Sequence, residues 1–285
     1  MTFNLKKPET WNEDYWEKII RNIGYISISE QDIIKNTKIA VLGVGGLGGP
    51  LAEQLIRSGN ENLVICDHDK FELSNMNRQI CTDQDMGAFK VDILENYYKN
   101  INPNIKIKTY KKIDITNISE ILENVKIVAL TLDDPIKSIL IARYCRKEGI
   151  PIIESWAFPY LFAWWFTEES DDYETCYGLN SQKDNLEDIS ENKTISNIFT
   201  SLLPPLLSNF PGLKMRLNRE IGVANEMSQG KISIRSFTPI VRLSASYIAF
   251  DIIFAGILNV KEKILAPEIK GYDYFQMKEI NFKIR

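Results

Sequence analysis

The sequence predicts an α/β fold, a doubly wound and mostly parallel sheet with an N-terminal helical segment and an α+β C-terminal extension. Short apolar runs alternate with helical stretches: Lys38-Ile-Ala-Val-Leu42, Asn62-Leu-Val-Ile-Cys66, Lys126-Ile-Val-Ala-Leu130 and Ile152-Ile-Glu154. The first run opens into Val41-Leu-Gly-Val-Gly-Gly-Leu-Gly-Gly-Pro50, where Gly43, Gly45 and Gly48 fit G-x-G-x-x-G at a strand-to-helix turn. The second run ends in an acid, Asp67 or Asp69, at about the 20-residue spacing at which a Rossmann-like sheet holds a ribose.

Residues 10–23 read as a helix with Trp11, Tyr15, Trp16 and Ile19 or Ile20 on its apolar face. Ser27-Ile-Ser-Glu30 fits a capping box that opens a second helix through Ile34. These two helices form a segment over 1–36. After the glycine turn the pattern predicts helices over 51–58 and 85–99, a break at Asn102-Pro-Asn104 and a strand over 105–110. Further helices are predicted over 118–123 and 135–147, the latter started by Pro135 with Asp134 as a cap. Residues 37–158 thus form the nucleotide-binding half. In the second half, 159–285, residues 161–167 are aromatic and strand-like, and 168–197 form a polar stretch without period, read as a mobile loop or a lid. A long apolar helix follows over 238–258, then two short strands over 268–284.

The chain of 285 residues is 44% hydrophobic, enough for a substantial core. A net charge of −4 argues against a general nucleic-acid binder and leaves room for a local cationic pocket. Cys66, Cys81, Cys145 and Cys176 lie far apart and form no C-x-x-C pair, so no structural zinc is expected. The N-terminus lacks an apolar signal core, and Arg242 and Asp251 interrupt the one long apolar stretch. A cytoplasmic protein outside the membrane is expected.

Beyond the second strand come Asp67-His-Asp69, then Ser74-Asn75-Met-Asn-Arg78-Gln79, Lys90 and Asp133-Asp134. Such residues, just past strand ends, surround the crevice where open α/β sheets bind ligands. Arg and Lys neutralise a triphosphate there, and a carboxylate holds Mg²⁺. An NAD-dependent oxidoreductase shares the glycine turn but leaves Asn75, Arg78 and Lys90 unexplained.

The order glycine turn, acid, Ser-Asn-x-x-Arg-Gln, Lys, Asp resembles the E1-like adenylyltransferases (ThiF, MoeB and the ubiquitin-activating enzymes) over about residues 17–157. Arg21-Asn-Ile-Gly24 is similar to the arginine motif ahead of that family's first strand. The resemblance implies ATP- and Mg²⁺-dependent adenylation of a carboxylate, with pyrophosphate released. A non-catalytic partner subunit of another adenylating enzyme would keep the fold, yet Arg78, Lys90 and Asp133 are intact. The acid would be the C-terminus of a small ubiquitin-like or sulfur-carrier protein, a peptide, or a small carboxylic acid. It implies that Gly43, Gly45, Gly46 and Gly48 approach the phosphates and that Asp67 holds the ribose. Asn75, Arg78 and Lys90 would contact phosphates, Gln79 would shape the pocket, and Asp133 would serve the metal. Arg21 would reach the γ-phosphate from the partner subunit of a homodimer. Cys176 is the only cysteine in the second half, and so the one candidate for a thioester or persulfide nucleophile; the competing reading is an incidental loop cysteine. His68, the sole histidine, is read as structural.

Overall fold

A computed structural model of the chain describes residues 5–155, 162–179, 181–186, 208–209, 211–212, 216, 219–220, 222–228, 231–232 and 235–283. Its centre is a six-stranded sheet of β1 (Ile39–Leu42), β2 (Asn62–Cys66), β3 (Lys106–Tyr110), β4 (Ile127–Leu130), β5 (Ile152–Glu154) and β6 (Trp164–Phe166). The order is β3-β2-β1-β4-β5-β6. The first five strands are parallel, and β6 runs antiparallel to β5. β1 and β4 are buried along their whole length and β2 nearly so, as expected of inner parallel strands covered on both faces.

The two-residue period of a strand sorts the core into layers. Ala40, Leu42, Val64, Val128 and Leu130 face one side and pack with α5 (Ile118–Ile121) and α6 (Pro135–Lys147). Ile39, Val41, Leu63, Ile65 and Ala129 face the other and pack with α3 (Gly48–Arg57), α4 (Lys90–Ile101) and α8 (Thr238–Asp251). By length and composition, α8 with the π-helical turn Ile252–Ile257 could cross a membrane. Here it packs into the core and carries a buried Asp251, which accepts hydrogen bonds from Trp165 Nε1 and Lys261 Nζ.

The N-terminal helices α1 (Glu13–Ile19) and α2 (Ile28–Asn36) dock at the far end of α3. Tyr15 Oη donates to the Gly59 carbonyl at 2.9 Å, and Gln31 Nε2 donates to the Ser58 carbonyl at 2.9 Å. The Ser27–Glu30 capping box forms as the sequence predicts.

Several boundaries differ from the sequence reading. α3 starts at Gly48 rather than 51, because Pro50 sits in its first turn, where no amide hydrogen is required. α4 starts at Lys90 rather than 85: Met86 and Phe89 are extended and Gly87 has φ +81°, so only a short 3₁₀ turn, Asp83–Asp85, precedes it. Within the polar stretch 168–197, most of residues 170–179 pack against the core, which a loop reading does not anticipate, while 182–185 lie exposed. α7 (Tyr173–Cys176) brings Tyr173, Cys176 and Tyr177 into the core, where Tyr177 stacks on Trp164 at 5.8 Å. Acidic residues mask this aromatic content in the sequence. Residues 187–197 lie outside the described residues, and with them the reading of a lid. The two predicted strands are present as β7 (Glu268–Asp273) and β8 (Lys278–Lys283), and the structure adds that they pair antiparallel.

One margin of the main sheet is occupied and the other carries charge. Trp165 accepts and donates backbone hydrogen bonds with residues 264–266 along the outer side of β6. β3 is the opposite margin, and Lys106 and Lys108 on it are exposed.

Candidate active site

The carboxyl ends of β1, β2, β4 and β5 open on one cleft of about 320 Å³. The strand order reverses between β1 and β4, and crevices at such reversals bind ligands in open α/β sheets. Gly43, Gly45 and Gly46 form its floor, Asp67, His68 and Asp69 follow β2, and Thr131 to Asp133 follow β4. Asn75, Arg78, Gln79 and Lys90 wall one side, Glu154 and Ser155 line it from the end of β5, and Ser236 and Val241 face it from the C-terminal half.

The glycine turn is tight for a steric reason. Gly43 adopts φ +93°, and a Cβ there would lie 2.5 Å from the Thr131 carbonyl oxygen. A Cβ on Gly48 would lie 1.8 Å from the Gly43 carbonyl oxygen. The N-terminus of α3 is therefore seated on the turn, with its free amides near the cleft. Thr131 Oγ1 donates to the Gly43 carbonyl at 2.6 Å and ties β4 to the turn.

Asp67 organises the end of β2. Its Oδ2 accepts the Val44 amide at 2.8 Å and its Oδ1 the Asp69 amide at 2.9 Å. Asp69 instead pairs with Lys90 at 2.7 Å. Burial works to raise the Asp69 carboxyl, but the hydrogen bond and charge of Lys90 outweigh it and hold the group below its usual range. Lys90, 5% exposed, is the first residue of α4, so the late start of that helix is what places it at the cleft. Asp134 caps α6 through the Ile136 and Lys137 amides, which leaves Asp133 as the exposed carboxylate facing the cleft.

Arg78 is half-buried beside Gly46 and donates to the Ser74 carbonyl and to Asn77 Oδ1. Asn77 in turn donates to the Ser236 carbonyl at 3.0 Å, joining this wall to the C-terminal half. Asn75 Oδ1 accepts the Glu72 amide and shapes the 3₁₀ turn Leu73–Asn75. The side-chain oxygen of Gln79 is buried with no hydrogen-bond partner among the described residues. Such an orphaned acceptor at a cleft wall is a position for a ligand donor.

The sequence reading missed Glu154 and Ser155. Glu154 is 5% exposed and accepts hydrogen bonds from Tyr173 Oη at 3.1 Å and Tyr177 Oη at 2.5 Å. Burial pushes its carboxyl up to about 7, against the lowering effect of the two hydroxyls. An acid closing an apolar strand was the only available signal.

Two expected residues stand apart. Arg21 is exposed, at the N-terminal segment docked on the far end of α3, and does not line this chain's cleft. Cys176 is 2% exposed in the core behind β6 and does not line the cleft, a placement that speaks against a nucleophile. Burial, reinforced by Asp171, Asp172 and Glu154, pushes its thiol up to about 12, far from a reactive thiolate.

A profile of the ThiF family matches residues 19–285. The SAMP-activating enzyme E1 of Haloferax volcanii is 30% identical over 125 residues, 43% of this chain and 46% of that protein. The ubiquitin-like modifier-activating enzyme 5 of Bombyx mori is 40% identical over 91 residues, 32% and 23% respectively. The chain spans less than half the length of these relatives. Among solved structures, PaaA superposes with a TM-score of 0.67 over all of this chain and 78% of its own, at 16% identity. MccB of E. coli, solved with AMPCPP and MccA, superposes with a TM-score of 0.65 over 96% and 72%, at 20% identity. These likenesses show a shared fold. With the family match extending from the N-terminal helices to the last residue, the chain belongs to the ThiF family.

Proposed function

We propose that the chain catalyses an ATP- and Mg²⁺-dependent adenylation of a carboxylic acid. The observation that carries the reading is the convergence of Asn75, Arg78, Gln79, Lys90 and Asp133 on the glycine turn in one cleft. A carboxylate oxygen attacks the α-phosphorus, the α–β phosphoanhydride breaks, and pyrophosphate leaves. Such chemistry asks for positioning and charge stabilisation more than covalent help.

Asp67 holds the ribose side, and the amides at the start of α3 face the phosphates. Arg78 and Lys90 neutralise the charge that builds on pyrophosphate, so Arg78 leaves Asn77 when nucleotide enters. Asp133, exposed and free of any ion pair among the described residues, suits Mg²⁺, which prefers one or two carboxylates plus phosphate oxygens. Bound there, the ion would draw charge from the leaving phosphates. Arg21 reaches the site from a second copy of the chain in a homodimer.

The acid is the C-terminus of a small protein or peptide, or a small carboxylic acid. Relatives named for activating SAMP and ubiquitin-like modifiers, and MccB solved with MccA, support this choice.

ATP–pyrophosphate exchange with a panel of peptide and small-acid substrates tests the proposal. Removing one well-placed donor to a developing charge costs about 2.7–4 kcal/mol, so Arg78→Ala should lower exchange by about 10²-fold or more, and Asp133→Ala, which removes the carboxylate offered to Mg²⁺, should lower it to a comparable extent, about 10²-fold. Near wild-type exchange in both variants would remove these roles.

A further inference from the structure

Glu154 has no part in gripping ATP. It lies beyond β4 on the side away from β2, whereas Asp67 and Lys90 lie on the β2 side. A nucleotide seated on the glycine turn with its ribose at Asp67 leaves the β5 end of the cleft to the acid.

The surroundings of Glu154 say what it can meet there. Its two oxygens accept the Tyr173 and Tyr177 hydroxyls, and no described cation balances its charge. A carboxylate has about four acceptor sites, of which two are filled. An unbalanced buried carboxylate is costly, and a donor arriving with the ligand offsets that cost. The reacting carboxylate of the substrate cannot be that partner, because like charges repel. A nitrogen bearing hydrogen can. The aromatic wall behind Glu154 is fixed by the stacking of Tyr177 on Trp164 and by the close contact of Tyr173 with Tyr177, so the carboxyl group is held in place.

We propose that Glu154 is a specificity-determining residue that accepts an N–H from the acid being activated, so that the enzyme selects acids carrying an ammonium or amide nitrogen next to the reacting carboxyl. This inference rests on the adenylation reading and adds the part of the substrate that is recognised.

The test uses stable mimics of an acyl-adenylate and the full chain. Calorimetry at pH 8 compares 5′-O-(N-propanoylsulfamoyl)adenosine, which lacks the nitrogen, with the glycyl analogue (ammonium) and the N-acetylglycyl analogue (amide). The bare 5′-sulfamoyladenosine is the reference. At least one nitrogen-bearing analogue should bind about tenfold or more tightly than the propanoyl one. That ratio should fall below about threefold in Glu154→Gln for the ammonium, and in Glu154→Met for the amide, since glutamine keeps an acceptor. Far-UV circular dichroism confirms that each variant is folded, and Glu154→Gln, which preserves size and keeps one acceptor oxygen for the two tyrosine hydroxyls, decides the ammonium arm alone. Equal binding of all three acyl mimics by the wild type, or a ratio unchanged in the variants, overturns the role of Glu154. Failure of even 5′-sulfamoyladenosine to bind overturns the adenylation reading, and this inference with it.

Discussion

Replacing Glu154 with glutamine should change how the stability of the protein responds to pH. The Glu154 carboxyl is raised by burial from an ordinary value of 4.5 to about 7. Between these two values the folded chain holds a proton at this site that the unfolded chain has released. Stability therefore falls as pH rises through that window, and the contribution is gone above about 7. A tenfold difference in proton affinity between the two states is worth about 1.36 kcal/mol, so the loss between pH 5 and pH 8 amounts to roughly 2–3 kcal/mol. Glutamine carries no such proton, so Glu154→Gln should be free of this slope while every other titrating group stays the same. Urea unfolding at pH 5, 6, 7 and 8 measures it. The wild type should lose roughly 2–3 kcal/mol more than the variant across that range, almost all of it below pH 7. Parallel stability curves for the two proteins would show that Glu154 is an ordinary solvated acid, and that the tyrosine-lined pocket does not exclude water from it.

The glycine turn should tolerate a methyl group at one position and not at another. Gly48→Ala puts Cβ 1.8 Å from a backbone oxygen and should destabilise by about 1–3 kcal/mol, whereas Gly45→Ala, with nothing nearer than 3.7 Å, should leave the urea midpoint in place. Iodoacetamide on the native chain at pH 8 should label Cys81, which is partly exposed, and spare Cys176; peptide mapping after a short pulse reads the outcome, and Cys176→Ser should form product at the wild-type rate. Lys261→Met removes the cation beside the fully buried Asp251 and should cost about 3 kcal/mol by chemical denaturation, the low end for a broken buried pair because Lys261 keeps 29% of its surface in water.

The nucleotide end of the site was legible in the sequence because its residues are tied to strand ends. Gly43, Asp67 and Asp133 each follow an apolar run closely, so the period of the strands locates them. Arg78 and Lys90 were legible only as a spaced motif, since the extended backbone and positive φ at Gly87 that set Lys90 at a helix start leave a weak trace in residue types. Glu154 was hidden for a different reason. What matters about it is the pair of tyrosines, and Tyr173 and Tyr177 lie in a stretch whose acids suggest solvent. Their burial follows from the return of β6 along β5, a tertiary event that local propensity does not encode. Ser236 reaches the cleft from 159 residues beyond Asn77, a separation over which pattern carries no information.

The way the two sheet margins are finished limits how copies of this protein can meet. Open strand edges invite another chain to zip on and propagate into fibres. On one side the backbone of residues 264–266 already occupies that place beside Trp165. On the other, a second copy approaching β3 would set ammonium against ammonium at Lys106 and Lys108. Ribbon-like polymerisation is thereby discouraged at both ends, and a pairing of two chains is steered toward their helical and loop surfaces.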